Sequence, residues 1–175
     1  LVLAPGAEPI VPPLPGVDLE GVFELHNIPE LDALDAYIKA KQVKRAVVIG
    51  GGFIGLEVAE NLAETGISVS VVEMLNQVMA PVDYELAVEV HEHLALHGIG
   101  LVLGDGLNAI EKVEGSGALK VHTSNGKELE TDLVVLSIGV RPNTKLAKES
   151  GIEVTQRGHI VTNERMQTSD PDIYA

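Results

Sequence analysis

Residues Ala46 to Leu62 read AVVIGGGFIGLEVAENL. A β-branched apolar run, Ala46 to Ile49, ends in Gly50, Gly51 and Gly52. A helical pattern then runs from Phe53 to Thr65, with Gly55 as its only breaker. Gly66 stands where a C′ glycine closes a helix. Buried strand, glycine turn and helix, in that order, form the unit that binds a dinucleotide pyrophosphate. On this reading Gly50 permits the tight turn and Gly52 lets a phosphate approach the backbone. Gly55 lets the helix pack closely on the strand. Gly51 adds backbone freedom that the motif does not require. The plain alternative is that these glycines only pack a helix against a sheet.

The following strand separates the two readings. Ser68 to Glu73 (SVSVVE) is strand-like and ends in Glu73, 23 positions beyond Gly50. A carboxylate there can accept hydrogen bonds from both hydroxyls of an adenosine ribose. Strand, helix and acid in register favour the dinucleotide over a solvated strand-end Glu73. Charge sharpens the reading. The net charge is −14, from 26 acidic and 12 basic residues, and no Lys or Arg stands between Arg45 and Lys112. An anion bound there must be held by backbone amides and the positive end of a helix dipole. A 2′-phosphate would meet Glu73 and no cation, so NAD(H) is expected in place of NADP(H). The same net charge repels nucleic acid and anionic membrane surfaces, so neither is an expected partner.

Hydrophobic content of 45% with mean hydropathy +0.20 excludes a disordered chain. Without cysteine there is no disulfide framework, thiolate metal site or redox-active thiol. No apolar run approaches the ~18 residues of a membrane span. The opening LVLAPGAEPIVPPLPG lacks the basic region of a signal peptide, and a cytoplasmic location is expected. That opening has no Met and begins within a strand-like run, while SDPDIYA ends on an apolar triplet. The chain is therefore expected to be an excised piece of a larger protein.

Five of the nine prolines lie in Leu1 to Gly16, read as a short strand followed by an extended linker. Val22 to His26 reads as a strand. Ile28 to Lys41 reads as a helix with Asn27 as N-cap, Pro29 in its first turn, and a stripe of Ile28, Leu31, Leu34, Ala36 and Ile38. Asp83 is expected to cap a helix that runs to His97 and closes at Gly98. Gly100 to Leu103 reads as a third strand of the series. Asn108 to Val113, Leu119 to Thr123 and Lys127 to Glu130 read as a meander, with an Asn125-Gly126 turn signal. Leu133 to Ile138 is a fully apolar run, read as a buried parallel strand. The expected fold is α/β: a Rossmann-like three-layer nucleotide-binding domain, its central parallel sheet using an antiparallel β-meander as the last crossover.

GGGFIGLEVAENL, SVSVVEM, TDLVVLSIGVRPNT and TSDPDIYA, in that order and spacing, resemble the FAD-dependent pyridine nucleotide-disulfide oxidoreductases. The branch most similar is that of coenzyme A-disulfide reductases, NADH oxidases and NADH peroxidases. The resemblance implies an NAD(H) domain inserted in an FAD domain. Residues 1–17 would leave a truncated FAD domain, 18–140 would bind NAD(H), and 141–175 would return toward the FAD domain. By position, Phe53 matches an aromatic that covers the flavin and swings aside for nicotinamide. Ile54 would contact the dinucleotide backbone, and Glu57 and Gly139 would lie at the nicotinamide half. Many members carry Tyr where Phe53 stands. Met74 joins the set at the adenine end, where it and Met79 read as packing residues. Each has a bland counterpart: a buried first helical turn for Phe53 and Ile54, a solvated carboxylate for Glu57, an ordinary strand end for Gly139.

The cofactor-binding set is thus Gly50, Gly51, Gly52, Phe53, Ile54, Gly55, Glu57, Glu73, Met74 and Gly139, with no catalytic or metal-binding residue. His91, His93 and His97 do not have the spacing of a helical zinc site, and a solvated helix face is the expectation. The expected function is the NAD(H)-binding part of an NADH-to-FAD oxidoreductase that reduces a disulfide, peroxide or oxygen. Its expected partners are NADH and the parent's FAD and dimerisation domains, with the parent a homodimer and this piece inactive alone. The alternative is a free-standing NAD-sensing module.

Overall fold

The apolar run before the glycines lies at the centre of a five-stranded sheet. A computed structural model describes residues 1–175. The chain begins β1 (Ala7–Pro9), β2 (Val22–Glu24), α1 (Ile28–Lys41), β3 (Arg45–Ile49) and α2 (Phe53–Glu64). It continues β4 (Ser68–Glu73), α3 (Tyr84–Leu96), β5 (Gly100–Leu103), β6 (Leu107–Lys112), β7 (Leu119–Thr123) and β8 (Glu128–Thr131). β9 (Leu133–Leu136), β10 (Val140–Pro142) and α4 (Lys145–Glu149) complete it. Two compact units result: Val11–Gly139, and Leu1–Ile10 with Val140–Ala175.

In the larger unit the sheet order is β2-β9-β3-β4-β5, and every pairing is parallel. Parallel strands need covering on both faces, and the side chains of β3 and β9 show how this is met. Ala46, Val48, Leu133 and Val135 point into a cluster with Leu34, Val58, Ala59, Leu62 and Leu94 from the three helices. Val47, Ile49, Val134 and Leu136 point into a second cluster with Ile110, Leu119 and Val121 of the meander. Helices therefore form one layer and the meander β6-β7-β8 the other. Val48, Val71, Val134 and Val135 are fully buried, each contributing about 1.5–3 kcal/mol. That burial makes the sheet a rigid platform for the loops at its carboxyl ends.

The helix starts differ in a way that matters for the site. Asn27 caps α1 with a complete capping box: its Oδ1 accepts from Glu30 N–H, and Glu30 Oε2 accepts from Asn27 N–H. Gly52 heads α2 and offers no side-chain cap. Asp83 occupies the N-cap position of α3, but its side chain makes no capping bond; its carbonyl accepts from Leu86 and Ala87 instead. Gly66 and Gly98 follow α2 and α3 with φ of +86° and +75°, as helix-closing glycines do.

Several expectations are corrected. The α1 stripe serves the core only in part: Leu34 is buried and Ile38 packs partly buried against the helix-side cluster, whereas Ile28, Leu31 and Ala36 are exposed. The last buried strand stops at Leu136, and Ile138 is exposed. Two meander strands shift by about a residue, to Leu107–Lys112 and Glu128–Thr131. Met74 is exposed and packs in no core, whereas Met79 packs against the helix-side cluster.

In the smaller unit β1 pairs antiparallel with β10, with Glu8 opposite Arg141. Leu3 N–H donates to Tyr174 O at 2.7 Å and Tyr174 N–H to Leu1 O at 2.9 Å. The buried Thr144 before α4 donates its hydroxyl to Gly158 O at 2.7 Å. The strand β10 and the helix α4 were not foreseen, because three- to five-residue elements carry too little periodicity to register. No helix in either unit is long and apolar enough to cross a membrane.

Candidate functional site

The bend after β3 is set by three different glycine requirements. Gly50 has φ +109°, and its N–H donates to Val72 O at 2.8 Å. A Cβ there would stand 2.3 Å from Ser137 O, so the bend lies directly against the end of β9. Gly55 is buried, and its Cβ would stand 2.0 Å from Gly50 O; the helix crosses the bend at backbone contact. Gly52 meets nothing within 4 Å. Its open face is where a group could approach the main chain.

Gly51 departs from expectation. It is no spare hinge, since a Cβ there would stand 2.8 Å from Val78 Cγ1 and 3.2 Å from Glu73 Cβ. Packing requires this glycine too.

Glu73 joins the bend directly. Its Oε2 accepts from Gly51 N–H at 2.7 Å, and its Oε1 accepts from Leu75 N–H at 2.7 Å. The carboxylate is half-buried at the carboxyl end of β4, beside β3. The solvated strand-end alternative is thereby excluded. Each oxygen keeps a further lone pair for an incoming donor.

The next amides are free. The N–H groups of Gly52, Phe53, Ile54 and Gly55 find no acceptor within the protein, whereas Leu56 N–H reaches Gly52 O at 3.0 Å. These are the orphan donors of a helix start, and no side chain caps them. The Ser137 hydroxyl, next to Gly55, is also buried without a partner. Orphan neutral donors, an open Gly52 face and a run from Ala46 to Glu111 without Lys or Arg fit a phosphate-bearing ligand held by main chain.

Phe53 and Ile54 are 60% and 45% exposed, which rules out a buried first turn. Phe53 and the exposed Glu57 also line a groove of about 390 Å³ between α2 and α3, floored by Leu56, Leu94 and Ile99. Met74 lies exposed against Gly106. Gly139 is exposed with φ +110°, two residues beyond Ser137. The structure thus gathers Gly50 to Gly55 and Glu73 in one place, with the β9 end alongside.

The histidines of α3 part company. His93 and His97 stack at 4.3 Å between ring centroids. His91 turns inward and accepts from Val78 N–H at 3.2 Å, a contact that sequence spacing could not signal. No cluster of three or more His, Asp or Glu side chains is placed to hold a metal ion.

A family model described as pyridine nucleotide-disulphide oxidoreductase matches residues 1–175. An NADH oxidase of Methanocaldococcus jannaschii is 42% identical over 176 residues, covering all of this chain and 38% of that protein. Among solved structures, reduced CoADR-RHD of Bacillus anthracis is 49% identical with a TM-score of 0.91. It is matched over 99% of this chain and 30% of its own. The water-forming NADH oxidase of Lactobacillus brevis bound to NADH is 35% identical with a TM-score of 0.89, over 99% of this chain and 37% of its own. The chain therefore spans well under half the length of these relatives.

Proposed function

The chain belongs to the pyridine nucleotide-disulphide oxidoreductase family, and from that membership and the site geometry we propose that it is the NAD(H)-binding part of a longer flavoprotein. The observation that carries the reading is the Glu73 carboxylate bonded to Gly51 N–H beside four unpartnered amides. In this reading the amides of Gly52 to Gly55 hold the pyrophosphate, and the free lone pairs of Glu73 accept from the ribose hydroxyls. Met74 borders the adenine side. Exposed Phe53 moves aside to admit the nicotinamide, with Ile54, Glu57 and Gly139 around that half. When bound, NADH supplies a hydride that FAD in the longer parent accepts. Reduction of a disulfide, peroxide or oxygen, and pairing into a homodimer, belong to parts of the parent outside this chain. The chain alone binds nucleotide and turns nothing over.

Nicotinamide fluorescence titration tests the assignment. NADH is expected to bind at least about tenfold more tightly than NADPH, whose 2′-phosphate would face Glu73 without a cation. Equal affinities would refute the role of Glu73, and NADH turnover by the chain alone would refute its inactivity.

A further inference from the structure

The segment Met74 to Val82, between β4 and α3, has no regular secondary structure and no charged residue. Val78 in its middle is nevertheless fully buried. Its Cγ1 stands 2.8 Å from where a Cβ on Gly51 would lie, so Val78 is wedged against the glycine bend. Two hydrogen bonds fix the wedge. Met79 N–H donates to Gly51 O at 2.8 Å. Val78 N–H donates to His91 Nε2 at 3.2 Å.

The second bond depends on protonation. A ring nitrogen that accepts must keep its lone pair, so the proton of His91 sits on Nδ1 and the ring is neutral. A second proton would turn Nε2 into a donor facing a donor and leave the Val78 amide unpaired. The Tyr84 ring stands edge-on to the imidazole, 6.4 Å between centroids. The remaining ionisable groups on the surrounding elements are Asp83 at the N-cap of α3, Glu85, Glu89, Glu92 and His93 on α3, Glu73 at the end of β4, and Glu57, Glu60 and Glu64 on α2. None forms an ion pair with His91, while Glu73 is engaged with Gly51 and Leu75.

We propose that neutral His91 is a positioning residue of the dinucleotide site. It holds the Val78 wedge against the glycine bend, and its protonation loosens the bend and weakens dinucleotide binding. This rests on the reading of the bend as an NAD(H) site.

The test combines NADH titration with protection of the Val78 amide against hydrogen exchange, taken relative to the unprotected rate at the same pH, on the 175-residue chain, at about pH 8 and about pH 5.5. Three proteins are compared: wild type, His91→Gln, whose Oε1 can replace Nε2 without titrating, and His91→Leu. In the wild type, NADH affinity is expected to fall about three- to tenfold at the lower pH, with lower protection of the Val78 amide. His91→Gln should stay within about threefold of wild type at pH 8 and lose most of the pH response. His91→Leu should show weak binding and low Val78 protection at both pH values. An unchanged pH response in His91→Gln, or Val78 protection indifferent to pH and to His91→Leu, overturns the proposal. Absence of NADH binding by wild type at pH 8 would instead overturn the site reading; the Val78 exchange would still report whether His91 anchors the wedge.

Discussion

Replacing Glu73 with alanine removes two hydrogen bonds at once, and their geometry sets the size of the effect. Both carboxylate oxygens accept from main-chain amides at 2.7 Å, one on the bend and one on the following loop. Bonds to a charged acceptor contribute about 1.5–3 kcal/mol each. The site is half open to water, and water would partly satisfy the freed Gly51 and Leu75 amides. A net loss of about 2–3 kcal/mol for the pair follows. For a chain of this size that lowers the thermal midpoint by roughly 4–12 °C. The loss should appear in the ligand-free chain, measured by circular dichroism melts and urea titration. NADH titration of the same variant should show a further loss, about 1–3 kcal/mol, from the unpaired ribose hydroxyls. The two readouts separate two roles of one side chain. A variant that melts with wild type but loses NADH would mean that the bonds to Gly51 and Leu75 contribute nothing net. A variant that loses stability but keeps its NADH affinity would remove Glu73 from the sugar site.

The glycines give a paired prediction. Gly55→Ala places a Cβ 2.0 Å from a backbone oxygen, and the ligand-free chain should lose about 3 kcal/mol or more by urea titration. Gly52→Ala meets open space; it should leave the urea midpoint nearly unmoved while weakening NADH by crowding the phosphate approach. Acid stability reports two other carboxylates. A Thr123 hydroxyl bond, with amides of Asn125, Gly106 and Ser124, outweighs burial and holds Asp105 below the usual carboxylate range. Burial opposes ionisation of Asp132, but the Arg45 guanidinium and the amides of Lys44 and Arg45 outweigh it and lower that group too. With folded values below the unfolded value near 3.9, their stabilisation is complete above that pH and is lost as pH falls below it. Urea midpoints should therefore drop below about pH 4, less steeply in Asp105→Asn and Asp132→Asn; parallel pH curves would refute the assignment.

Much of the fold was legible because its signals are local. The apolar runs of β3 and β9, the glycines that close α2 and α3, and the Asn27 cap each express a demand met within a few residues: backbone φ, capping or burial of a short strand. The bend and Glu73 were legible for the same reason, since the βαβ spacing alone sets them side by side. Where local signals misled, a tertiary neighbour had intervened or was missing. Ile28 and Leu31 had helical spacing, yet no element covers them and they remain exposed.

Other features were decided only when distant segments met. Gly51 looked dispensable until Val78, 27 positions on, came to lie against it. That Glu73 serves the bend as well as an open mouth depends on where Gly51 and Leu75 point their amides. The inward turn of His91 depends on an irregular loop whose Val78 amide finds its acceptor on the next helix. Sequence by itself determined which backbone shapes and buried strands this chain could form, because those are set by neighbours along the chain. Close approaches and shared hydrogen bonds between loops were left to the packed structure, because they depend on which atoms arrive from elsewhere.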